Sequence, residues 1–246
     1  MRTFVGFLLF IALSLGFAFA ADSPKEDFDR GGRLYDEGKY AEALSCYEGL
    51  MSRVSSPDVF YNAGCAALKC GKKGLALAYW QRAFDARPRD NAIRTARAFL
   101  TAEIASEGGV IMRPSDLPLI GSFTENEIAI VVFASFFALF LLAVVNLRLK
   151  RDFFWHYVWI GVLFLVSVTA LSISMARFSG DYAAVTSPTA EVRESRNMEQ
   201  DSFFVLKDGS EVRLLLEEDG WMRVSFETGD GGYHEGWIPD KDAVKI

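Results

Sequence analysis

The chain has 246 residues, 51% of them hydrophobic, and a formal net charge of −6. The charge is uneven: residues 177–246 hold 8 basic and 15 acidic side chains, a net of −7, which disfavours nucleic acid and anionic lipid surfaces. With two histidines, His156 and His234, no phosphate-cradling glycine loop and no clustered metal ligands, the chain reads as non-catalytic, with no cofactor and no metal.

Met1-Arg2 precede an apolar run from Phe4 to Phe19, which ends in Ala18-Phe19-Ala20 ahead of Ala21-Asp22. A short charged start, an apolar stretch and small residues at the end predict an export signal over residues 1–20.

A domain is expected over residues 21–105, within which residues 28–104 contain an internal repeat with a period of 33. Gly31, Gly38, Ala43 and Tyr47 recur as Gly64, Gly71, Ala76 and Trp80. Small residues suit close helix approach, glycine suits the turn between helices, and the aromatic fills the gap beyond. Pro88 then stops the second copy. A third helix, from about Asn91 to Ala105, puts Ile93, Ala96, Leu100 and Ile104 on one side, as a cap over the second copy's open face.

The landmarks resemble the tetratricopeptide family of helix–turn–helix repeats. Phe60, Gly64, Gly71, Ala76, Trp80, Ala83 and Pro88 stand at its pattern positions; the first copy departs from it at Asp27 and Ser55. The resemblance implies a concave surface lined by the first helix of each repeat. Tyr35, Asp36, Tyr61, Asn62, Cys65, Leu68 and Lys69 are then the candidate partner-binding residues. Plain inter-helix packing is the competing reading for Tyr35 and Leu68. Cys46, Cys65 and Cys70 are an odd number of cysteines, read as packing residues, with thiol–disulfide exchange as a remote third function.

Residues 106–127 hold Gly108, Gly109, Pro114, Pro118 and Gly121 and read as a partly ordered linker, with no docking onto the C-terminal domain. Residues 128–147 and 153–176 lack Asp, Glu, Lys and Arg altogether. Each run is long enough to cross a hydrocarbon core roughly 30 Å thick. They form a transmembrane hairpin around a basic five-residue turn, 148–152, which belongs in the cytoplasm. Both flanking regions then lie outside it, in a bacterial periplasm, with the hairpin in the inner membrane. Ser135, Gly161, Ala134 and Ser167 are candidates for close packing of the two spans.

Residues 177–246 switch to short alternating strands parted by Asp208-Gly209, Asp219-Gly220 and Asp230-Gly231-Gly232, a small barrel pattern. Ala190-Glu191-Val192-Arg193, Leu206 with Gly209 and Val212, Asp219-Gly220-Trp221 with Val224, and Gly236-Trp237-Ile238 resemble the bacterial SH3-like family. Trp221, Tyr233 and Trp237 are a candidate ligand face for a wall peptide or partner tail. The alternative is that Trp237 plugs the core and Trp221 covers one end.

The fold class expected is therefore multi-domain: all-α tetratricopeptide repeats, a two-helix transmembrane hairpin and a C-terminal all-β SH3-like barrel. That order of parts resembles the BatE-type membrane proteins of bacterial aerotolerance operons. The resemblance implies partnership with von Willebrand A-domain membrane proteins and a MoxR-type ATPase, in systems tied to envelope integrity and stress or oxygen tolerance. Two functions follow as expectations: a protein-binding scaffold, or a peptidoglycan-binding anchor or sensor acting through the barrel.

Overall fold

The computed structural model describes residues 24–112, 125–149, 154–178, 181–199, 201–229 and 231–246. The export signal expected over residues 1–20, the linker prolines Pro114 and Pro118, and most of the turn at 148–152 lie outside the described residues.

Five helices come first: α1 (Pro24–Asp36), α2 (Tyr40–Met51), α3 (Pro57–Lys69), α4 (Lys73–Ala86) and α5 (Asn91–Ser106). The repeated glycines explain their pairing. A Cβ on Gly31 would lie 2.7 Å from the Tyr47 ring, and one on Gly64 would lie 2.5 Å from the Trp80 ring. Each aromatic of the second helix thus lies against bare backbone of the first. Ala43 and Ala76, also 33 residues apart, are fully buried in the same core. The turns match as well. Gly38 (φ +78°) and Gly71 (φ +75°) take the left-handed conformation that glycine adopts without penalty. Lys39 N–H then donates to Leu34 O and Lys72 N–H to Ala67 O, the six-to-one closure of a helix C-terminus.

Asp27, where the first copy departs from the pattern, is a buried carboxylate. It receives Arg30 at 3.2 Å and Arg53 at closer range, while its carbonyl accepts the Cys46 thiol at 3.2 Å. Two guanidinium groups offset the cost of burying that charge. Helix α5 starts on Asp90, whose side chain accepts from Ala92 N–H at 2.9 Å, and buries Ile93, Leu100 and Ile104 against the second pair.

Helices α6 (Glu125–Leu149) and α7 (Phe154–Phe178) pack on each other and are each long and apolar enough to cross a membrane. At about 1.5 Å per residue each spans roughly 37 Å. Their large side chains point away from the protein: Phe133 is 73% exposed and Trp159 70%. Only membrane or another protein makes such a surface stable. Ser135 and Ser167 are buried, their hydroxyls donating to Val132 O and Phe164 O, and Phe136 meets Phe164 at 6.2 Å between ring centroids. Ala134 is exposed and nothing lies within 4 Å of the Gly161 Cβ position, so those two do not serve the close packing expected of them.

The C-terminal region is antiparallel. Strands β1 (Tyr182–Val185), β4 (Glu211–Glu218), β5 (Trp221–Glu227), β6 (Tyr233–Pro239) and β7 (Ala243–Lys245) form one sheet in the order β6-β5-β4-β1-β7; β2 (Thr189–Val192) and β3 (Phe204–Lys207) pair separately. Arg193 and Trp237 exchange backbone hydrogen bonds of 3.0 and 2.7 Å, tying the end of β2 to β6 and nearly closing the layer. Val185, Val192, Leu206, Val212, Val224, Phe226 and Ile238 fill the interior. The alternation in β5 gives the reason: Met222, Val224 and Phe226 face inward, Arg223 and Glu227 outward. Gly209 (φ +87°) and Gly220 (φ +79°) make the turns.

The stretch after α5 departs from the linker expectation. Val110 accepts a hydrogen bond from Glu211 N–H at 2.8 Å, Ile111 bridges Glu211 in parallel, and Val110 and Met112 pack on the sheet core. Two apolar side chains packed, partly buried, against the sheet core outweigh the two glycines that precede them. The helices and the sheet also meet directly. Asp208, in the β3–β4 turn, accepts from Lys73 N–H and Gly74 N–H, both at 2.9 Å, and so caps the N-terminus of α4 from across the fold. The Val185 carbonyl stands only 1.7 Å from where a Gly74 Cβ would be, and Ile104 occupies the space beside Gly209. Arg82 donates to Lys245 O at 3.2 Å.

Candidate binding groove

Helices α1 and α3 stand 33 residues apart in the repeat, and their outer faces bound a cavity of about 300 Å³. Gly32, Tyr35, Asp36, Tyr47, Tyr61, Asn62 and Cys65 line it. Spacing explains the set. Tyr61, Asn62 and Cys65 recur at one helical face of α3, and Gly32, Tyr35 and Asp36 do so on α1. Tyr47 reaches through from α2 because Gly31 and Gly32 leave it room.

Each ring is held. Tyr61 stacks on Trp80 at 6.3 Å with a 28° tilt, and the Trp80 indole N–H donates to Tyr61 O at 3.1 Å. Tyr35 meets Tyr40 edge to face at 5.1 Å. Burial raises the pKa of Tyr35 and Tyr61 and lifts that of Tyr47 to about 12, so all three are neutral hydroxyls at physiological pH. Burial likewise raises the pKa of the Cys65 thiol, although hydrogen bonds with Tyr61 and Trp80 and the charge of Lys69 pull the other way. That thiol is protonated at neutral pH, a poor state for redox exchange. All three cysteines are free: Cys46 is buried, and Cys65 and Cys70 are half-buried.

The structure therefore brings together Tyr35, Asp36, Tyr61, Asn62 and Cys65. Leu68 is half-buried against the helical core and Lys69 is exposed, and neither lines the cavity. Sequence reasoning missed Tyr47 as a lining residue, because its repeat position marked it as packing; the adjacent Gly31-Gly32 was the available signal.

The second candidate surface is dispersed. Trp221, Tyr233 and Trp237 share the outer side of β5 and β6, since Trp221 faces Pro239, Arg223 faces Trp237 and Glu227 faces Tyr233. Tyr233 is four residues from Trp237, roughly 13 Å along the strand. The Arg196 guanidinium covers the Trp237 ring at 5.2 Å and also pairs with Glu218 at 3.0 Å and Asp219 at 3.1 Å. Trp237 is half-buried under that cover and does not plug the core, which Phe226 and Ile238 fill.

Among the described residues no group of three or more His, Cys, Asp or Glu side chains is arranged to hold a metal ion. The chain matches no protein-family model and no curated protein.

Proposed function

We propose that this chain is a non-catalytic, two-pass membrane scaffold whose tetratricopeptide-type groove binds a segment of another protein beside an SH3-like domain. The observation that carries the reading is the cavity between α1 and α3, where five expected residues converge with Tyr47 around one opening. Concave, aromatic-lined sites with a few polar groups are the usual form of a binding pocket. The membrane placement rests on α6 and α7, and the basic Arg148–Arg151 turn favours a cytoplasmic hairpin with both larger regions in the periplasm. The partner we infer, from the BatE-type resemblance alone, is a von Willebrand A-domain membrane protein of a Bat-type envelope complex linked to aerotolerance or stress.

The test is purification of the full-length chain from its own membranes in mild detergent, with and without Tyr61→Ala. A membrane protein that co-purifies with wild type and is lost with Tyr61→Ala supports the groove; retention with a folded variant removes it.

A peptidoglycan-binding anchor or sensor is the second reading, favoured by Tyr233, which is 70% exposed. Sedimentation of the full chain with purified wall material, compared with Tyr233→Ala, separates the two. The full chain is needed because Val110 and Met112 complete the sheet core.

A further inference from the structure

We propose that the groove selects a cation: it takes a lysine or arginine side chain of the bound protein segment. This rests on the groove being the binding site, and adds the charge of what enters it. Asp36 is the one charged side chain in the lining, and no ion pair to it is found among the described residues. The polar and aromatic groups of the lining suit positive charge. Tyr35 and Tyr61 are half-buried neutral rings whose faces carry negative potential, which attracts ammonium and guanidinium groups; Tyr47 is buried against Gly31 and only floors the cavity. Asn62 adds an amide oxygen able to accept from them.

An anionic side chain would meet Asp36 directly. An apolar one would fill the space without pairing Asp36, and would cover the half-buried Asn62 amide without giving it a partner. Lys69, one turn beyond Cys65 on α3, lies outside the lining, and its charge opposes the preference at the thiol. The selectivity therefore depends on Asp36, which is exposed at the mouth and whose replacement leaves the core untouched.

Cys65 reports the charge preference from inside the cavity. The full-length chain in detergent is treated with aminoethyl, methyl or sulfonatoethyl methanethiosulfonate. Each forms a disulfide with the thiolate fraction of Cys65, populated by labelling at alkaline pH, and releases methanesulfinate, and peptide mass mapping resolves the site. Relative to rates on a small free thiol, the cationic reagent should outpace the anionic one by about tenfold, the scale of one nearby charge in a partly screened site. Asp36→Asn should collapse that ratio towards one. Millimolar N-acetyl-lysine methylamide should slow labelling by the neutral reagent, while its norleucine counterpart should not. Equal rates, a faster anionic reagent, or a ratio unchanged in Asp36→Asn would overturn the cation assignment and leave the groove standing. No labelling by any reagent in the native chain, with labelling after denaturation, would mean a closed cavity and would remove both.

Discussion

The two helix pairs are alike inside and different at one end. In both, an aromatic of the second helix lies on a glycine of the first: Tyr47 on Gly31, Trp80 on Gly64. At the start of the second helix they diverge. The first pair has Tyr40-Ala41, with Ala41 exposed and no side-chain cap; the second has Lys73-Gly74, capped by Asp208 and pressed on the Val185 carbonyl. Ala41 and Gly74 are equivalent positions 33 residues apart. A repeat copies the contacts each unit needs for itself, and a departure from the copy marks a contact with something else. Here that something is the sheet.

The sharpest way to break this comparison is to put a side chain at both positions. Gly74→Val should cost about 3 kcal/mol or more, because backbone rather than a movable side chain occupies the space. Ala41→Val should stay within about 0.5 kcal/mol. Thermal melting in detergent with limited proteolysis should show the Gly74 variant alone exposing cleavage sites between helices and sheet; equal behaviour would end the distinction.

The shared rule is tested by Gly31→Ala and Gly64→Ala. Each should cost about 1–3 kcal/mol by overpacking against its aromatic ring. Melting curves in which only one variant suffers would show that the pairs do not share an interior rule.

Asp208→Asn sharpens the capping difference, with an expected loss of about 1 kcal/mol at neutral pH, because an amide keeps only one of the two oxygens that accept from Lys73 N–H and Gly74 N–H. Burial raises the Asp208 pKa above its ordinary 3.8, although the Lys73 and Gly74 N–H groups offset part of this. The folded state then holds the proton more tightly than the unfolded one. Stability from this linkage is fully present below 3.8 and is lost as pH rises through the folded pKa. Melting across that window should therefore show wild type losing ground to Asp208→Asn with rising pH; a gain would contradict the upward shift and mean that the N–H groups outweigh burial.

The smallest effect is expected at Arg87 and Asp58, an ion pair at 2.6 and 2.7 Å found in the second pair only. Both groups are exposed, so Arg87→Gln should change stability by less than about 0.5 kcal/mol.

What was legible in the sequence follows from range. The Gly31–Tyr47 and Gly64–Trp80 contacts span one hairpin and leave a period of 33. The inward Met222, Val224 and Phe226 leave a period of two. The Asp208 cap joins residues 135 apart and leaves no period at all. Nor do Val110 and Met112, whose two apolar positions after a glycine pair look like linker until the sheet is beside them. In the groove, Tyr61, Asn62 and Cys65 share one helical face and all three line the cavity. That face runs on to Leu68 and Lys69, which do not line the cavity, because periodicity shows which way a residue points but not where a cavity ends. Trp237 has the alternation of an outward residue, which decides against the core-plug alternative. The one overlooked local clue was Gly74 standing where the first copy has Ala41.

The central claim is that the α1–α3 groove, rather than the sheet's aromatic face, holds the partner. A photo-crosslinking amino acid placed at position 61, or at position 233, in the full-length chain within its own membranes tests this most directly. The account predicts a protein adduct from position 61 that Asp36→Asn abolishes, and none from position 233. An adduct of protein or wall fragment from position 233 alone would contradict it.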